Sequence, residues 1–140
     1  MHVAYIVSRF PDASETFVLR ELNGVDAHPD LDIALFSLFP PKNPFVHPDA
    51  ERWVPLVHRV SARQAILGSL AWTVERPRPF LGAVAAVIRD YGRVPRRLTR
   101  ALTTCAVAAG LSREMRGMEI DRIHAHFATY PALAAWLCIH

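Results

Sequence analysis

At 140 residues the chain has room for one domain and little more. Hydrophobic residues make up 51% and the mean hydropathy is +0.14, which excludes a disordered chain and allows a buried core. A net charge of +3 with a pI near 9.3 is too weak an excess to indicate a nucleic-acid partner.

His2–Ser8 is a continuous apolar run rich in β-branched and aromatic residues. A run without alternation suits a strand buried on both faces of a parallel sheet. Past a loop with Pro11, the residues Phe17, Val18, Leu22 and Val25 recur at helical spacing. Asp12 with Glu15 matches a capping box, Ser14 is a competing cap, and the helix is expected to end near His28-Pro29. Leu31–Leu38 reads as a second strand, closed by Pro40-Pro41. Trp53–Val60 reads as a third, reduced by Pro55 to an edge or a short piece.

Three helices are expected next, over Ala62–Glu75, Phe80–Tyr91 and Pro95–Arg116. The segment Glu75 to Pro79 separates the first two, and Tyr91-Gly92 the second from the third. Asp121–Phe127 reads as a strand, and Ala128–His140 as a helix with Pro131 in its first turn. This order predicts an α/β domain whose mostly parallel sheet carries helices on both faces. Its last residues, Ala134 to His140, form an apolar helical run without a stop signal, which reads as a domain cut within a helix. The apolar stretches Ala65–Val74, Phe80–Ile88 and Ala101–Leu111 are too short to span a bilayer. With no signal-peptide pattern at Met1–Ser8, the chain reads as cytoplasmic. Cys105 and Cys138 lack CxxC spacing and read as free, partly buried thiols.

In such a sheet, ligands bind beyond the carboxyl ends of the strands, near a switch in topology. Two segments fall there. Ser8 to Phe17 has no GxGxxG fingerprint, which speaks against a nicotinamide or flavin enzyme. It offers Arg9 and a helix N-terminus with Ser14, Glu15 and Thr16, fit for a phosphate or a sugar hydroxyl. Ser14 and Glu15 are equally explained as caps. In the second segment, Ile123 to Pro131, the two-residue strand period puts His124 and His126 on one face. His126 is nearer the strand's end, where neutral imidazole can meet a sugar hydroxyl or a developing charge. A structural role for both rings is the alternative. A metal would need a third ligand, and no neighbouring residue in the sequence supplies a recognisable one.

Of the 16 basic residues all but Lys42 are arginine, whose fork suits phosphate and carboxylate, although an arginine-rich coding bias would look the same. Arg93, Arg96, Arg97 and Arg100, with Arg89 a turn earlier, form a cationic stripe if one helix carries them, opposed by Leu98, Leu102 and Cys105. That stripe is either a solvated face or a surface for anionic lipid or a phosphorylated acceptor.

Tyr5 to Pro11, followed by Ser14-Glu15-Thr16-Phe17 and Arg20-Glu21-Leu22, resembles the start of family-4 glycosyltransferases. The similar subset is that of colanic acid and other exopolysaccharide biosynthesis. Ile123-His124-Ala125-His126-Phe127-Ala128 resembles a later strand of the same subset, whereas Pro40 to Arg116 is undiagnostic. The resemblance implies the N-terminal, Rossmann-like, acceptor-side half of a GT-B fold, whose second domain binds most of a nucleotide-sugar donor. It implies retention of anomeric configuration and no metal or other cofactor. By the motif match, His126 is the catalytic candidate near the donor sugar. Arg9, Ser14, Glu15, Thr16 and His124 are substrate-binding candidates, with Ser14 to Thr16 facing the donor phosphates. Arg96, Arg97 and Arg100 are candidates for anionic acceptor or peripheral membrane contact. The family's donor domain, with paired glutamates seven residues apart, is missing from the sequence, so sugar transfer by this chain alone is not expected. The alternative is a non-catalytic Rossmann-like module for an anionic ligand or membrane surface.

Overall fold

The computed structural model describes residues 1–12, 16–42 and 47–139. In chain order the elements are β1 (His2–Arg9), α1 (Thr16–Asp26), β2 (Asp32–Phe39), β3 (Val57–His58), α2 (Ala62–Glu75), α3 (Pro77–Tyr91), α4 (Pro95–Arg116), β4 (Arg122–Ala125) and α5 (Tyr130–Ile139). The four strands form one all-parallel sheet in the order β3-β2-β1-β4. The α/β reading, with a parallel sheet between helices, therefore holds.

The unbroken apolar runs of β1 and β2 follow from burial on both faces. Val3, Tyr5 and Val7 with Leu35 meet α1, through Val18, Leu19 and Leu22. Ala4, Ile6, Ala34, Phe36 and Leu38 face the opposite way, onto a larger core built with α4 and α5. One helix thus covers one face, and the remaining helices lie on the other.

Local signals set most helix boundaries. Ser61 caps α2 in a reciprocal capping box with Gln64, a Ser-x-x-Gln pattern legible in the sequence. Pro77 and Pro95 open α3 and α4, where a missing N–H costs nothing. Only Arg76 separates α2 from α3, so the second helix starts earlier than Phe80. The third strand is shorter than Trp53–Val60: Pro55 lies in a 3-10 turn over Val54–Leu56, and only Val57 and His58 pair with β2. His58 Nδ1 stands 2.7 Å from Glu114 Oε1, which ties that edge to α4.

α2 crosses α4 in close contact. A Cβ on Gly68 would stand 2.6 Å from the Gly110 backbone nitrogen, and one on Gly110 would meet Val60 Cγ1 at 2.6 Å. Glycine at both positions allows the two backbones to approach.

Candidate functional site

From β1 the chain moves outward to β2 and β3, then returns to place β4 on the other side of β1. The switch in topology is therefore between β1 and β4, and a crevice is expected beyond their carboxyl ends. The register pairs Tyr5 with His124 and Ile6 with Ala125, and the His126 N–H donates to the Ile6 carbonyl at 2.9 Å. The strand stops at Ala125, short of Phe127, because Phe127 takes a φ of 79°. For a side chain of that size the conformation is strained and needs the surrounding packing to hold it. Phe127 packs edge-on against Phe17, with ring centres 5.5 Å apart, and against His126 at 4.9 Å.

His124 and His126 do share a face, the one covered by α1. There they meet Glu21, a residue that neither periodicity nor local spacing marks as part of a site. His124 Nε2 is 3.4 Å from Glu21 Oε1, and His126 Nδ1 is 3.5 Å from Glu21 Oε2. The Tyr5 hydroxyl donates to Glu21 Oε1 at 3.1 Å. Burial, then that hydrogen bond and the carboxylate's charge, push the Tyr5 phenol up to about 12. The Tyr5 ring lies 4.5 Å from that of His124, and the Phe17 ring 5.0 Å from that of His126. Phe17 and Glu21, one helical turn apart, thus present one side of α1 to both histidines. His126 is the more enclosed, with 13% of its side chain accessible against 43% for His124. Its Nδ1 is buried and has no hydrogen-bond partner among the described residues, the Glu21 oxygen standing 3.5 Å away.

A second polar group lies at the same end of the sheet. Ser8, Arg9, Asp12, Phe39, Lys42, Arg100, Thr129 and Tyr130 surround a cavity of about 240 Å³. Arg9 donates to the Pro40 carbonyl, and its guanidinium stands 5.3 Å from the centre of the Phe39 ring. The cavity brings together Arg9 and Arg100, which the sequence reading assigns to different roles, and adds Lys42. Arg96 and Arg97 are exposed in the first turn of α4, Arg100 one turn further on is half-buried, and Arg93 precedes the helix. Leu98, Leu102 and Cys105 lie on the core side, as expected. Thr16 is exposed at the start of α1, and Ser14 and Glu15 lie outside the described residues.

A further cavity, about 610 Å³, lies elsewhere, between Arg122 and Ile123 of β4 and the ends of α4 and α5. It opens at the amino end of the sheet, away from both histidines. Cys105 and Cys138 are free thiols, pushed by burial up to about 11 and about 12. Among the described residues, no helix is long and apolar enough to cross a membrane.

No protein-family model matches this chain, and no curated protein or solved structure matches it.

Proposed function

We propose that this chain is the acceptor-side domain of a retaining glycosyltransferase of the GT-B kind. In this reading the enzyme moves a hexosyl group from a nucleotide-sugar donor to a saccharide or lipid-linked saccharide. The observation that carries it is the placement of His126 at the carboxyl end of β4, beside the switch in topology and walled by Phe17 and Phe127. In sugar transfer, the bond from the anomeric carbon to the leaving diphosphate breaks as an acceptor oxygen bonds to that carbon. Positive charge develops on the sugar ring and negative charge on the diphosphate. A neutral imidazole suits the first, by accepting from or donating to a sugar hydroxyl. The cations at Arg9 and Arg100, with the N-terminus of α5, suit the second. Measuring transfer from a labelled nucleotide-sugar by the intact enzyme tests the reading. His126→Ala lowers the rate by about 100-fold or more with an unchanged circular dichroism spectrum. Activity within a factor of two of the parent removes His126 from the mechanism.

A second reading, a module that rests on an anionic membrane surface, is favoured by a separate observation. Ile66, Leu70 and Val74 recur along α2 and are all exposed, Val74 by 82%, and Leu81 and Ile88 of neighbouring α3 are exposed as well. With Arg96 and Arg97 also exposed, the helical layer offers apolar insertion together with charge attraction. Peripheral membrane contact and sugar transfer to a lipid-linked acceptor are compatible.

A further inference from the structure

We propose that Glu21, His124 and His126 form a binding site for a divalent transition-metal ion of the zinc class. This goes beyond the transfer reading, which asks for no metal, and does not depend on it. One potential ligand atom from each of the three side chains, a ring nitrogen of His124 and of His126 and a carboxylate oxygen of Glu21, lies within 4.8 Å of the other two. They come from β4, from the residue that follows it and from α1, elements held together by the β1–β4 register and the core under α1.

The distances are compatible with side chains arranged about one ion. Two atoms that bind one tetrahedral metal at about 2.1 Å stand about 3.4 Å apart. Glu21 Oε1 is 3.4 Å from His124 Nε2 and Glu21 Oε2 is 3.5 Å from His126 Nδ1, so the carboxylate reaches each histidine with a different oxygen. These contacts are longer than the direct contact of His58 with Glu114, at 2.7 Å, and close to the exposed pairs His2–Asp32 and His47–Asp49, at 3.6 Å. What sets the cluster apart is a second histidine on the same carboxylate and the burial of His126 Nδ1. His126 Nδ1 points the same way: it is buried and lacks a hydrogen-bond partner among the described residues, a state that a metal bond would end.

The surroundings fit as well. The Tyr5 hydroxyl holds Glu21 Oε1, the kind of outer hydrogen bond that orients a ligating carboxylate. The rings of Tyr5, Phe17 and Phe127 pack against the two imidazoles and restrict their rotation. Two imidazoles and one carboxylate select zinc and its neighbours over magnesium or calcium, which prefer all-oxygen sets. Three protein ligands leave a fourth position open to water or to an oxygen of a bound ligand. A metal on Nδ1 would also fix the His126 tautomer, with its proton on Nε2.

Calorimetric titration of the chelator-treated, desalted chain with zinc chloride tests the site, with cobalt(II) as a spectroscopic reporter. The expected result is one zinc per chain and a visible cobalt spectrum of the four-coordinate type. Glu21→Gln, which can still accept from Tyr5, and His124→Gln each weaken zinc binding by more than about tenfold. His58→Gln, at the unrelated histidine–carboxylate pair, leaves it unchanged. Circular dichroism confirms that each variant is folded, and if Glu21→Gln is not, the half-exposed His124 position decides. Zinc affinity in the folded Glu21→Gln or His124→Gln protein equal to the parent's overturns the proposal, as does loss of binding in His58→Gln or no saturable binding in the parent. None of these readouts involves sugar transfer.

Discussion

Glu21 Oε2 and His126 Nδ1 face each other at 3.5 Å, joining the middle of α1 to the residue just past β4. The contact lies over the seam between β1 and β4 and is shared with Tyr5 through the other carboxylate oxygen. Removing the Glu21 side chain therefore strands the Tyr5 hydroxyl. Glu21→Ala is expected to destabilise the fold by about 1–3 kcal/mol, since the Tyr5 hydroxyl loses its acceptor in a buried setting. Urea denaturation measures this, and Glu21→Gln, which keeps an acceptor, should recover most of the loss. Equal stability of Glu21→Ala and the parent would show that the contact carries no structural weight.

The arginines divide by location, and their variants should divide in the same way. Arg100 lines the cavity with Arg9 at the carboxyl end of the sheet, whereas Arg96 and Arg97 point to solvent. On the sugar-transfer reading proposed above, Arg100→Gln should raise the KM for a phosphorylated acceptor several-fold, as expected for loss of a charge-assisted contact. Arg96→Gln with Arg97→Gln should leave KM for a soluble acceptor analogue unchanged while reducing co-sedimentation with anionic vesicles. The reverse pattern would contradict the division.

Gly68 sits where α2 crosses α4, and an added methyl group meets backbone rather than a movable side chain. Gly68→Ala gains helix propensity of about 1 kcal/mol, but backbone displacement at a packed crossing typically costs about 1–3 kcal/mol. Net destabilisation is expected, measurable as a lower urea midpoint. A midpoint at or above that of the parent would mean that the helices can separate at little cost.

Cys105 and Cys138 stay protonated well above the ordinary thiol range, about 9, because burial disfavours the thiolate. At pH 8 both should react slowly with a disulfide reagent in the folded protein and rapidly once urea unfolds it. The same shifts set the direction of pH-dependent stability. Between pH 9 and about 12 the unfolded chain gives up thiol protons that the folded chain retains, so raising the pH favours unfolding. Stability contributed below pH 9 is lost across that window, which thermal melts at pH 8.5 and 11 can follow. Native thiols that react at pH 8 as fast as unfolded ones would refute the burial.

The sequence by itself determined the local elements of this protein. Ala62–Glu75 and Pro95–Arg116 form helices with the expected bounds, because caps, prolines and helical periodicity act over a few residues. The buried strands were legible for the same kind of reason: an unbroken apolar run has one economical place, between two layers of helices. Pro55 signalled a weakened third strand, although not that pairing shrinks to Val57 and His58. The pairing of His124 with His126 could also be read, since it rests only on the two-residue strand period.

Tertiary structure alone decided what those histidines meet. The β1–β4 register sets His124 beside Tyr5, and the packing of Val18 and Leu22 turns Glu21 toward both rings. Arg9, Lys42 and Arg100 converge for a similar reason, through docking of the first turns of α4 against the end of the sheet. Such meetings depend on long-range pairing and on which face each helix buries. Residue spacing within one element carries no record of either.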